Sequence, residues 1–136
     1  MMYGNANARQ MPAMLVIQNS TKVLALDSAI LNSFRQVYKS VTKSIDTLVW
    51  IQQNQPALMV LNLEDLEIEE LDLVTALRTD WLTRNIPILA IADKCNRFKI
   101  ANLDCDRYLL KPYSALELER AICSLVSSPS CMRYAS

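Results

Sequence analysis

The stretch PALMVLNLEDLEIEE, residues 56–70, carries an apolar run into one amide, Asn62, and then into a burst of acid. Glu64, Asp65, Glu67, Glu69, Glu70 and Asp72 place six carboxylates within nine residues. Carboxylates can serve as nucleophiles, as general bases or as ligands for hard cations. An amide is neither nucleophile nor base, and at the end of a buried run it can only exchange hydrogen bonds. Composition removes other chemistry. There is no histidine, so Ser/His and Cys/His pairs and the common zinc sites cannot be assembled. The four cysteines, Cys95, Cys105, Cys123 and Cys131, show no C-x-x-C spacing, and reduced thiols are expected. A single glycine, Gly4, cannot build a glycine-rich phosphate loop.

The elements that must position Asn62 follow from hydropathy. A chain of 136 residues, 51% of them hydrophobic, buries one core and is too short for two ordinary domains. Fourteen basic and fourteen acidic residues cancel, so overall charge offers neither a nucleic-acid surface nor attraction to an anionic membrane. No apolar run approaches the roughly 20 residues that span a bilayer. The opening MMYGNANARQMP lacks a signal-peptide core, and a cytoplasmic protein is expected.

Short apolar runs predict strands at 13–17 (AMLVI), roughly 36–41 (QVYKSV), 58–62 (LMVLN), 87–92 (PILAIA) and 107–110 (RYLL). Val23, Leu26, Ile30 and Phe34 recur between the first two at helical spacing, and TKVLALD is read as the opening of that helix. The same spacing joins Ile45, Leu48 and Ile51, and then Leu71, Val74 and Leu77. Ser114 and Glu117 form a capping-box pattern ahead of the last helix. Alternation of this kind predicts β/α units around a parallel sheet. Residues 1–12 are expected to be an arm, 13–127 the domain and 128–136 a tail.

With five units in place, residues 13–127 resemble the receiver domain of bacterial response regulators, an α/β, flavodoxin-like (βα)5 doubly wound fold with a parallel five-stranded sheet. In that family an acidic pair ends strand one, a phospho-accepting aspartate ends strand three, Thr or Ser ends strand four and Lys-Pro ends strand five. The matched positions here are Gln18 and Asn19, Asn62, Ala92, and Lys111-Pro112. Forty-three residues separate Asn19 from Asn62 and thirty separate Asn62 from Ala92, spacings that suit a receiver without gaps. YLLKPYS (108–114) is similar to the family's ending of strand five, with Tyr108 at the switch-aromatic position. IEELDLVTALRTDWLTRNIPIL (68–89) follows its third-helix pattern.

The resemblance implies a site whose chemistry is missing. A carboxamide cannot form an acyl phosphate, and Gln18, Asn19 and Asn62 are three neutral amides where Mg²⁺ would want carboxylates. Ala92 has no hydroxyl to contact a phosphoryl group. No catalytic residue, no metal and no cofactor is therefore expected, and the chain is read as no enzyme. Lys111 is read as a structural remnant bonded to the Asn62 oxygen or to Asp93 or Glu64. Only nineteen residues run from Ala92 to Lys111, about three short of the family's usual span, so the fourth helix should be roughly one turn shorter. Asp104 stands where a glycine commonly ends that helix, and aspartate tolerates the left-handed conformation.

The leading expectation is a phosphorylation-independent pseudo-receiver that works by protein–protein contact in two-component-type signalling or transcription control. The partner would be a signalling kinase, a regulator or another response regulator. A homodimer is also open, and the chain alone contacts neither nucleic acid nor membrane. The acids Glu64, Asp65, Glu67, Glu69, Glu70 and Asp72 are the candidate docking patch, since complementary charge steers association. Two alternatives stand beside this: a phosphoryl-accepting receiver with Glu64 or Asp65 as relocated carboxylate, and the receiver part of a DNA-binding regulator whose output domain lies elsewhere. A basic stretch, Lys94, Arg97, Lys99 and Arg107 with Phe98, is flanked by Cys95 and Cys105 and read chiefly as solvated surface.

Overall fold

Three runs of Leu, Ile, Val, Met and Ala form the middle of the sheet because both of their faces can be covered. In the computed structural model they are β1 (Ala13–Gln18), β3 (Leu58–Asn62) and β4 (Ile88–Asp93), almost entirely buried. The structure describes residues 12–18, 34–39, 44–62 and 68–126, without the side chains of 44, 45, 68–70, 96, 98 and 99. The edges are β2 (Arg35–Lys39) and β5 (Arg107–Lys111), each beginning and ending on a basic residue. The strand order β2-β1-β3-β4-β5 is parallel throughout. This is the doubly wound, flavodoxin-like topology. The helix expected between β1 and β2 falls largely outside the described residues. Phe34, the last member of its stripe, lies buried in a bend just ahead of β2.

Helices cover both faces. On one side α1 (Ser44–Asn54) and α2 (Ile68–Thr79) bring Ile51, Leu73, Val74 and Leu77 onto Leu15, Ile17, Met59 and Ile88. On the other, Leu118, Ala121 and Ile122 of the final helix, Ala115–Leu125, close over Met14, Val16, Val60 and Leu89. Each fully buried Leu, Ile or Met contributes on the order of 1.5–3 kcal/mol of transfer free energy. The stripe expected on α2 is shifted: Val74 and Leu77 are buried, but Leu71 is exposed and Leu73 takes its place. With 3.6 residues per turn, 73, 74 and 77 lie together on the face that meets the sheet, and 71 falls to its side.

Between β4 and β5 the predicted shortening is present. A 3-10 turn, Lys94–Asn96, leads into α3, only Arg97–Ile100. The final helix is therefore α4. Its capping box is complete: Ser114 Oγ accepts from the Glu117 N–H at 3.1 Å, and Glu117 Oε1 accepts from the Ser114 N–H at 3.2 Å. Asp104 does not adopt the left-handed conformation; among the described residues the positive φ belongs to Gln55, at 47°. Gln55 N–H bonds the Ile51 carbonyl at 2.8 Å, ending α1 just before Pro56.

Candidate functional site

A doubly wound sheet presents its ligand crevice beyond the carboxyl ends of its strands. Those ends hold Gln18 on β1, Asn62 on β3, Ala92 and Asp93 on β4 and Lys111 on β5. The register sets Gln18 beside Asn62, and Asp93 beside Lys111. Four of the expected pocket positions thus share one edge, while Asn19 lies outside the described residues. Parallel neighbours stand about 4.8 Å apart, so the two amides are close enough to share one ligand or one penalty.

Their environment identifies a penalty. Asn62 is 4% exposed, and both its Oδ1 and Gln18 Oε1 are buried and, among the described residues, without a hydrogen-bond partner. An unpaired buried acceptor costs about 1–3 kcal/mol. The bond expected from Lys111 to the Asn62 oxygen is therefore not made, and among the described residues Lys111 forms no ion pair with Asp93. Lys111 is half-buried at the strand end, and a lysine there can bury its stem while its charged head stays in water. The Lys111-Pro112 bond is cis. Ala92 is fully buried with no polar atom to contribute.

The donor set does not fit Mg²⁺. Two neutral amide oxygens supply none of the charge that makes this ion give up water, and among the described residues no three acidic, cysteine or histidine side chains cluster. Tyr108 is 39% exposed, and its hydroxyl donates to the Leu103 carbonyl at 2.6 Å. Of the docking acids, Asp72 is exposed on α2. Glu69 and Glu70 sit in the first turn of the same helix, and Glu64, Asp65 and Glu67 fall outside the described residues.

Two features were not anticipated. Arg78, at the end of α2, is a clamp: Nε donates to the Asp104 carbonyl at 2.8 Å, and Nη1 to the carbonyls of Arg84 and Ile86 at 2.8 and 2.9 Å. Its Nη2 meets Asp106 Oδ2 at 2.7 Å, and the same oxygen accepts from the Ile88 N–H at 2.8 Å. In sequence Arg78 reads as one more basic residue closing a helix. The second is a groove of about 560 Å³ along β5 and α4, where Arg120 joins Lys94 and Arg107. Arg120 lies thirteen residues beyond Arg107 in sequence, so only the packing of α4 on β5 reveals the cluster.

The cysteines depart from expectation at one place. Cys95 and Cys105 are free, the first exposed and the second half-buried. Burial pushes the Cys105 thiol up to about 12. Cys123 is disulfide-bonded, with a partner outside the described residues. The expectation of reduced thiols rested on compartment and spacing, whereas a disulfide depends on the approach of two Cβ atoms, which spacing does not show.

Comparisons with known proteins place the fold. No protein-family model and no curated protein matches the chain. Solved structures do. The receiver domain of sensor histidine kinase PA1611 from Pseudomonas aeruginosa PAO1 has a TM-score of 0.67 at 17% identity over 86% of this chain and 98% of that one. It carries a magnesium ion coordinated in its active-site cleft. A response regulator from Desulfuromonas acetoxidans has a TM-score of 0.60 at 17% identity, covering 81% of this chain and 92% of that one. The Vibrio cholerae chemotaxis protein CheY4 has a TM-score of 0.62 at 14% identity, covering 85% and 99%. The chain thus has the fold of response-regulator receiver domains. Among the described residues no helix is long and apolar enough to cross a membrane.

Proposed function

We propose that the chain is a pseudo-receiver: a phosphorylation-independent interaction module of bacterial two-component-type signalling or transcription control, working in the cytoplasm by contact with a protein partner. The observation that carries this reading is the buried Asn62 carboxamide at the end of β3, whose Oδ1 accepts no hydrogen bond among the described residues. A carboxamide there offers no attacking oxygen for an acyl phosphate. Gln18 beside it and the buried Ala92 extend the same deficit to the metal and to the phosphoryl group. Tyr108, with its hydroxyl tied to Leu103, supports one resident conformation in place of a ligand-driven shift. The acids Glu64, Asp65, Glu67, Glu69, Glu70 and Asp72 are the proposed docking patch for a basic partner surface.

Incubation with radiolabelled acetyl phosphate and Mg²⁺ tests the reading. The native chain is expected to take up no label, while a functional receiver treated in parallel does. Hydroxylamine-sensitive label on this chain would overturn it. Loss of that label on Glu64→Gln or Asp65→Asn would hand the role to the relocated carboxylate.

A further inference from the structure

A parallel sheet leaves a row of unpaired N–H and C=O groups on each outer strand, a template for one more strand. Among the described residues β5 ends the sheet, with β4 on one side and no strand on the other. The groove of about 560 Å³ runs beside this edge, with Leu109, Leu110 and Ala121 in its lining and Lys94, Arg107 and Arg120 as its cations. All three cations are exposed, and among the described residues none forms an ion pair. The one carboxylate in the lining, Glu117, is already occupied in the α4 capping box. Among the described residues the groove therefore has apolar side chains in its lining, a backbone edge that pairs with no strand and a net positive rim.

That combination selects its occupant. Two copies of the chain pairing β5 to β5 would bring Arg107 and Lys111 of each against the other, and like charges held across a strand pair repel. An acidic strand meets the opposite field and can use the backbone edge at the same time. We infer that the outer edge of β5 is a docking edge for an extended acidic peptide segment of a partner protein, which adds as a sixth strand. This docking deepens the interaction-module reading and rests on it, yet it is separate from the acyl-phosphate test: its failure leaves the unlabelled result untouched.

The experiment is fluorescence anisotropy of the full chain with a labelled peptide of about six residues, an ordinary strand length, alternating Glu with Val and Thr. Saturable binding is expected, weakening about tenfold between about 50 and 300 mM salt as the charges are screened. Arg107→Glu combined with Arg120→Glu should abolish it, and the milder Arg107→Gln with Arg120→Gln should weaken it at least tenfold, with the circular dichroism spectrum of both unchanged. The same peptide N-methylated at alternate residues should bind at least tenfold more weakly, because it cannot hydrogen-bond along an edge. Equal binding by the methylated peptide would refute strand addition. Equal binding by the charge-reversed chain or by a lysine-for-glutamate peptide, or stronger binding of single-stranded DNA of matched charge, would overturn the assignment.

Discussion

Replacing Asn62 with leucine should make the protein more stable. The side chain it removes is 4% exposed, its Oδ1 accepts nothing, and among the described residues none loses a hydrogen bond by its departure. Relief of the orphaned acceptor is worth about 1–3 kcal/mol. Leucine keeps the two-pronged end on Cγ but is larger, and the added bulk between β1 and β4 takes back up to about 1 kcal/mol. The net expectation is a gain of about 1–2 kcal/mol, which for a chain of this length corresponds to roughly 3–8 °C in Tm. Urea denaturation at constant m-value, with thermal melts in parallel, measures it. Asn62→Asp is the counter-experiment: it buries an unpaired carboxylate whose folded pKa is raised by desolvation. Its stability should therefore fall as pH rises from about 4 towards that folded value. A leucine variant that keeps its circular dichroism spectrum but loses more than about 1 kcal/mol would show that the amide holds a partner. The assignment of Asn62 as an orphaned acceptor would then fail.

Two further outcomes follow from the same geometry. Arg78→Ala should lose about 2–4 kcal/mol in urea denaturation, less than a fully buried severed pair because Asp106 is 42% exposed and rehydrates; Arg78→Lys should recover under half of it, since an ammonium cannot span the four acceptors. Stability should also fall as pH rises from about 9 towards about 12, because burial holds the Cys105 thiol at about 12 against an ordinary 9.0, so the unfolded chain releases its proton first. Tyr108 and Tyr113, raised by burial in the same direction, add to that loss at the alkaline end. Denaturation series from about pH 8 to 11 should flatten in Cys105→Ala, and an unchanged slope would refute the assignment.

The sheet was readable from the chain because its central strands carry their own signature. AMLVI, LMVLN and PILAIA are continuous apolar runs, and such runs have one stable place, between two layers of helices. The positions of Gln18, Asn62 and Lys111 at strand ends, and of Ala92 one residue short of one, were readable because a strand ending is fixed once the strand is. Side-chain satisfaction was not readable. Whether Lys111 reaches Asn62 depends on a few ångströms of approach that spacing does not encode, and the expected bond is not made. Arg78 and Arg120 were hidden for a related reason: each acquires its meaning from residues far along the chain, at Asp104, Asp106 and Arg107. The α2 stripe failed at Leu71 because periodicity finds a helical face but not which side of it meets the sheet.

The Asp106 carboxylate does more than hold Arg78. Its Oδ2 takes the Ile88 N–H, while the Asp106 N–H returns to the Ile88 carbonyl at 3.0 Å. The start of β4 and the start of β5 are thereby stitched to each other and, through Arg78, to the end of α2. The strands are cross-linked where they begin, whereas among the described residues the amide oxygens at the far ends of β1 and β3 accept no hydrogen bond. Stiffness is therefore graded along the strand axis, and the Ile88 amide is a natural reporter of it in hydrogen exchange. Its protection measures the opening of the anchored end, against which any loosening at the crevice can be scaled.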